Sequence, residues 1–187
     1  MNGCSLVLTF ILGICLFARG QQLNSFTLTD VVSGRTVSLS DYANGRGLVI
    51  IFISNDCPYD TYYVHRIKSL AEAFPDLPFL LVNGQSSQNK DEVAMKRAAL
   101  RTGWGLPYLA DRSKQLAQNI RPTKSPEAIL FRNDQGKFTI VYRGAIDDNP
   151  QVETDVNTPY LQNAIDQLIA SKTVHPSNSR PVGCSIR

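Results

Sequence analysis

Gly47-Leu48-Val49-Ile50-Ile51-Phe52-Ile53-Ser54-Asn55-Asp56-Cys57-Pro58-Tyr59-Asp60 is the stretch from which the rest of the chain can be read. It opens as an unbroken apolar run of branched and aromatic residues. A strand with one wet face alternates polar and apolar side chains. A short run without alternation therefore predicts a strand buried on both faces, in a sheet flanked by helices. Ser54-Asn55-Asp56 end the run with residues that favour turns and helix starts. Pro58 suits the first turn of a helix, where its missing N–H costs nothing. That helix would continue with Tyr63, Ile67, Leu70, Ala71 and Phe74 on one side. Cys57 is thus expected where a central strand meets a helix start, beside free N–H groups and the positive end of the helix dipole. Such a setting lowers a thiol's pKa and raises its thiolate fraction.

Working outward, Phe26 to Thr29 and Thr36 to Leu39 read as a small hairpin around Ser33-Gly34 that protects a sheet edge. Phe79 to Asn83 is a second buried strand, and Asp91 to Thr102 a helix ended by Gly103. Trp104 to Asp111 leads through a short apolar segment, and Ser113 to Asn119 is a short helix. Ala128 to Phe131 and Thr139 to Tyr142 flank Asn133-Asp134-Gln135-Gly136, a hairpin turn. Thr158-Pro159 starts a last helix with Leu161, Ile165, Leu168 and Ile169 facing inward. From Lys172 to Arg187 the chain is Ser- and Pro-rich without periodicity, and is expected to be a flexible tail. Strands alternating with helices predict an α/β sandwich, a central mixed sheet flanked by helices.

Met1 to Gly20 reads as an export signal. Leu6 to Ala18 is apolar but short for a bilayer span, and Ala18-Arg19-Gly20 places small residues at the two positions a signal peptidase reads. Cleavage after Gly20 is expected, with an uncleaved anchor as the alternative. Three segments result: a signal peptide over 1–20, a domain over 21–171 and the tail over 172–187. Processing would remove Cys4 and Cys15 and leave Cys57 and Cys184, an even pair in an exported chain where disulfides persist. The net charge is only +3, and its lysines and arginines are scattered among acids. Without a basic block, nucleic acid and anionic membrane are not expected partners.

Strand, Cys57 at a helix start, and Ser125-Pro126-Glu127 before a later strand resemble the thioredoxin superfamily. More closely, the chain resembles redoxins of the alkyl hydroperoxide reductase/thiol-specific antioxidant (peroxiredoxin-like) group. The matching pieces are Asn55-Asp56-Cys57-Pro58-Tyr59, Leu106-Pro107-Tyr108-Leu109-Ala110-Asp111, Gly144-Ala145-Ile146-Asp147-Asp148-Asn149 and Gly183-Cys184-Ser185-Ile186-Arg187. The resemblance implies a thioredoxin-like fold, a cis Pro126 against the reactive sulfur, and a substrate groove in which Ser125 offers backbone groups to an extended peptide. It implies no cofactor. Two departures stand out. Thioredoxin-like reductants carry Cys-x-x-Cys, yet Asp60 holds the fourth position. Peroxiredoxins place a hydroxyl residue three before the cysteine and a proline after it, as Ser54 and Pro58 do, but Ile50 stands where they carry an earlier proline.

Cys57 and Cys184 are the expected catalytic pair, with Ser54, Pro58, Ser125 and Pro126 around the substrate. Cys57 would attack a peroxide or a protein disulfide, Cys184 or an external thiol reductant would resolve the product, and the reaction would occur in the periplasm or outside the cell. Two alternatives remain: Cys184 as a permanent staple, and the whole chain as a redox-inactive peptide-binding module, for which Asp60 is the motive. Asp60 would place a negative charge near Cys57 and oppose thiolate formation. His65 lies two helical turns beyond Cys57, too far to serve as its base, and with His175 in the tail the histidines form no zinc site. Asp147 and Asp148 read as a solvated turn. Arg101, Arg121 and Arg143 are equal candidates to assist a thiolate, and the sequence does not choose among them.

Overall fold

The structure of this chain, a computed structural model, describes residues 21–84 and 92–186. The export signal proposed for 1–20 lies outside the described residues, as do Asp91 and Arg187. An eight-stranded mixed sheet runs in the order β1-β9-β8-β4-β5-β6-β2-β3. Its strands are β1 (Gln22–Leu23), β2 (Thr27–Asp30), β3 (Thr36–Ser38), β4 (Gly47–Ile53), β5 (Phe79–Asn83), β6 (Tyr108–Ala110), β8 (Glu127–Asp134) and β9 (Lys137–Gly144). Strands β4, β5 and β6 are parallel, and β8 returns antiparallel on the other side of β4.

The apolar run forms β4, and all seven of its residues are buried. Val49, Ile51 and Ile53 point to one face, where they meet helices α2 (Val64–Ala73), α3 (Glu92–Thr102) and α5 (Tyr160–Ile169). Leu48, Ile50 and Phe52 point to the other, against α4 (Gln115–Ile120) and the N-terminal arm with Leu23, Phe26 and Leu39. Two cores share one strand, which is why its sequence cannot alternate. The first hairpin lies at one end of the strand order, as the edge element it was expected to be.

The helix after Cys57 is not continuous. It divides into α1 (Pro58–Tyr62) and α2, with Tyr63 between them at φ −97°, ψ −4° and its N–H turned to Asp60 O. This break leaves Tyr63 buried, its ring 4.0 Å below the Arg66 guanidinium.

The segment expected as a flexible tail over 172–187 follows a packed path through its described residues. Val174 is buried in the first core. Arg143 N–H donates to Ser177 O, Ser179 N–H donates to Arg143 O, and Ala145 N–H donates to the Ser179 hydroxyl, so the segment is stitched along the end of β9. It finishes as β10 (Cys184–Ser185), antiparallel to the two-residue β7 (Lys124–Ser125). Periodicity could not show this, because the anchoring comes from hydrogen bonds and two isolated apolar side chains, Val174 and Ile186. Gly144 makes the docking possible. At φ +141°, a Cβ there would stand 2.2 Å from Ser179 O and 2.6 Å from its hydroxyl. Gly144→Ala is expected to cost about 1–3 kcal/mol in urea unfolding. Limited proteolysis should then cut 172–183 faster than in the parent, which a reducing gel reads directly.

Candidate functional site around Cys57 and Cys184

Cys57 ends the turn after β4 in extended backbone and stands just before α1, with Pro58 at the first helical position. It is 4 % exposed and joined to Cys184 by a disulfide, with the two Cα atoms 5.8 Å apart. The Ser125–Pro126 peptide bond is cis, and its carbonyl oxygen lies 3.1 Å from the Cys57 sulfur. Cys184 sits directly opposite Ser125 in the β7–β10 pair. Helix α1 has only five residues, so its dipole is smaller than a continuous helix through Phe74 would supply.

Asp60 is the residue that sequence reasoning misread. It does not face water on the first turn; it is 3 % exposed and turned inward. Its Oδ2 accepts the Ser54 N–H and the Ser125 hydroxyl, both at 2.7 Å. Its Oδ1 is buried without a hydrogen-bond partner among the described residues. Burial pushes its pKa from 3.8 up to about 7, against the lowering by the Ser54 N–H and the Ser125 hydroxyl. Below that pH the group is a neutral acid, and the charge expected to oppose a Cys57 thiolate is absent. Ser125 therefore touches both the sulfur, through its carbonyl, and the carboxyl, through its hydroxyl. Ser125 and its cis bond to Pro126 thus lie against Cys57, Pro58 follows it in the chain, and Ser54 is tied to Ser125 through Asp60.

Glu127 is a second contributor that the sequence left unremarked. Its Oε2 accepts the N–H and hydroxyl of Thr123 and the N–H of Lys124, while Oε1 pairs with Arg143 at 2.8 Å. It holds the segment that carries β7 from behind. Arg143 is thereby engaged with Glu127, and Arg101 and Arg121 are exposed. The clue in the sequence was position: a carboxylate directly after Ser125-Pro126 at the start of an apolar strand.

Asp147 belongs to a separate arrangement. It is buried, takes Arg66 Nη1 at 2.7 Å and accepts the Tyr63 hydroxyl at 3.2 Å. Asp148 accepts the Asn157 N–H in the following turn, and the Thr158 N–H holds its carboxyl below the usual range. His65 pairs with Glu153 at the surface. A cleft of 340 Å³ on this side, lined by Arg66, Leu70, Ile146 and Glu153, holds neither cysteine. No helix among the described residues is long and apolar enough to cross a membrane.

The comparisons with known proteins agree with this geometry. The model of the AhpC/TSA family matches residues 19–147, a span that includes Cys57 and Pro126 and ends before Cys184. No curated protein matches the chain. Among solved structures, an uncharacterized conserved protein from Geobacillus kaustophilus is 28 % identical over 92 % of this chain and 93 % of its own, with a TM-score of 0.80. A hypothetical protein from Sinorhizobium meliloti 1021 is 24 % identical over 91 % and 94 %, with a TM-score of 0.79. A secreted Mycobacterium tuberculosis disulfide oxidoreductase, described as homologous to E. coli DsbE, shares the fold at 19 % identity over 78 % and 95 %, with a TM-score of 0.53.

Proposed function

Because this chain belongs to the AhpC/TSA family and carries a thioredoxin-like fold, we propose that it is an exported thiol oxidoreductase, with Cys57 as nucleophile and Cys184 as resolving thiol. On this reading 1–20 is a cleaved signal, 21–171 is the working domain and 172–187 is a segment that docks and undocks with the redox state. The observation that carries the proposal is the Cys57–Cys184 bond, formed between a cysteine at a helix start and one on a strand laid along Ser125. The reduced Cys57 thiolate attacks a disulfide sulfur, and the mixed disulfide is displaced by Cys184. An external dithiol then restores both thiols. Protein disulfides fit better than peroxide, because the flanking feature is a strand edge suited to a peptide. Ser54 and Pro58 keep peroxide as a second substrate class, with a Cys57 sulfenate in place of the mixed disulfide. The redox-inactive module loses its main motive, since Asp60 is neutral below about pH 7.

The test is turnover by the processed chain with a protein disulfide and, separately, with a peroxide. Cys57→Ser should reduce both rates to background. With the protein disulfide, Cys184→Ser should instead accumulate a covalent adduct between Cys57 and the substrate, and with the peroxide a Cys57 sulfenate, both detectable by intact mass. Equal rates for the parent chain and Cys57→Ser would overturn the proposal.

A further inference from the structure

We propose that Gly183-Cys184-Ser185-Ile186 is a tethered copy of the substrate strand, and that a partner cysteine must follow glycine to reach Cys57. The inference rests on the thiol-exchange reading above and adds a sequence requirement to it.

Strand β7 pairs with β10 alone and takes no place in the eight-stranded sheet. Without the tail, its outward main-chain groups would lose their partners, a cost that an incoming strand removes. The tail shows which strand fits. Cys184 lies opposite Ser125, Ser185 opposite Lys124, and the Ile186 N–H donates to Thr123 O at 3.1 Å. Lys124 Nζ donates to the Ser185 hydroxyl at 3.1 Å, and Ile186 packs against the second core. The position before the cysteine is the restrictive one. A Cβ on Gly183 would lie 2.0 Å from Ser125 O, 2.7 Å from Ser125 C and 3.1 Å from Pro126 N. These are backbone atoms of the cis peptide group, which Glu127 and the β4–β8 pairing hold from the other side, so they have little room to withdraw. Any residue but glycine displaces the strand from the sulfur. The partner is therefore an extended peptide disulfide of the form Gly-Cys, a small exposed residue, then an apolar one.

In the reduced chain, Cys57 thiolate attacks the sulfur of the partner's Gly-Cys half. The partner's S–S bond breaks, its other sulfur leaves as thiolate and takes up the proton that Cys57 gave on ionising. A Cys57–partner disulfide forms, with the partner strand on β7. Cys184 thiolate next attacks the Cys57 sulfur, and the partner's Gly-Cys leaves as a thiol carrying the Cys184 proton. Two electrons have passed to the partner, the Cys57–Cys184 bond is closed, and β10 has reclaimed β7. Tail and partner compete for one strand edge, so the oxidised chain is closed to peptides.

The experiment uses the reduced full chain and peptides Gly-Cys-Ser-Ile, Ala-Cys-Ser-Ile and Leu-Cys-Ser-Ile, each disulfide-linked to a chromogenic thiol whose release is timed. Gly-Cys should react at least about tenfold faster than Ala-Cys, the scale expected for forcing one methyl against fixed backbone. In parallel, Gly183→Ala should shift the Cys57–Cys184 equilibrium in a glutathione buffer about tenfold toward the thiols. Gly45→Ala, whose Cβ meets only ordinary contacts at 3.6 and 3.7 Å, should leave it unchanged. Equal rates for the three peptides with an unmoved Gly183→Ala equilibrium would overturn the glycine requirement while leaving thiol exchange intact. Failure of Cys57 to attack any of the peptides while a protein disulfide or a peroxide is still turned over would overturn this inference alone; loss of that turnover as well would overturn the proposed function.

Discussion

Replacing Cys184 with serine should lower the stability of the folded chain by about 5 kcal/mol. The two cysteines are 127 residues apart, so their bond closes everything from the start of α1 to β10 into one loop. Closing a loop that long removes a large share of the unfolded chain's conformational freedom, and the loss grows with the logarithm of loop length. Cys57→Ser should cost a similar amount, and the double variant little more, because either change opens the same loop. Urea unfolding of the oxidised parent, the reduced parent and the variants checks this. The reduced parent should fall near Cys184→Ser, and the slope of the transition should steepen as the unfolded state expands. A loss below about 1 kcal/mol would show that β10 is held by its hydrogen bonds alone. In the cycle proposed above the chain gives up this bond, and it would have to remain folded without it. The parallel β4–β5–β6 centre, with its two buried faces, supplies that reserve.

The second large effect is a fall in stability as the pH rises from 4 to 7, traceable to Asp60. In the unfolded chain this carboxyl ionises near its ordinary pKa, whereas burial in the folded chain keeps it protonated up to about 7. Across that window the folded state holds a proton that the unfolded state has released. Stability then declines with rising pH by about 1.4 kcal/mol per unit, about 4 kcal/mol in all. The contribution is fully present below the unfolded pKa, is lost as pH passes through the folded pKa, and is flat beyond. Asp60→Asn should remove this slope. An amide oxygen can still accept the Ser54 N–H and the Ser125 hydroxyl, and no charge has to be buried above pH 7. Asp148, whose pKa is lowered, contributes in the opposite direction, so the quantity to read is the difference between parent and variant in urea midpoint from pH 4 to 8. Parallel pH profiles would overturn the assignment. Burial raises the pKa of Tyr108, and Asp60 and Asp56 add to it, so its hydroxyl stays neutral through this range and donates to Asn55.

The candidate site was partly legible before folding and partly not. The unalternated run before Cys57 was enough for a doubly buried strand, because only burial on both faces tolerates seven apolar residues in succession. Ser54-Asn55-Asp56 and Pro58 then located the cysteine at the start of a helix, through turn chemistry that acts within a few residues. Local rules of this kind do not reach across the sheet. They gave Asp60 a negative charge near Cys57, since nothing nearby in the chain announces that Ser125, 65 residues away, will cover it. They divided no helix at Tyr63, because the cause is packing against Arg66 and Asp147. They left 172–187 without a place, although hydrogen bonds to Arg143 and Ala145 and the room opened at Gly144 decide its path. What the sequence determined alone was the order of elements and the place of Cys57 between a buried strand and a helix start, both written in neighbouring residues. Which carboxyl is buried beside the sulfur, and which strand lies on β7, depended on contacts between distant segments, and only the tertiary structure decided them.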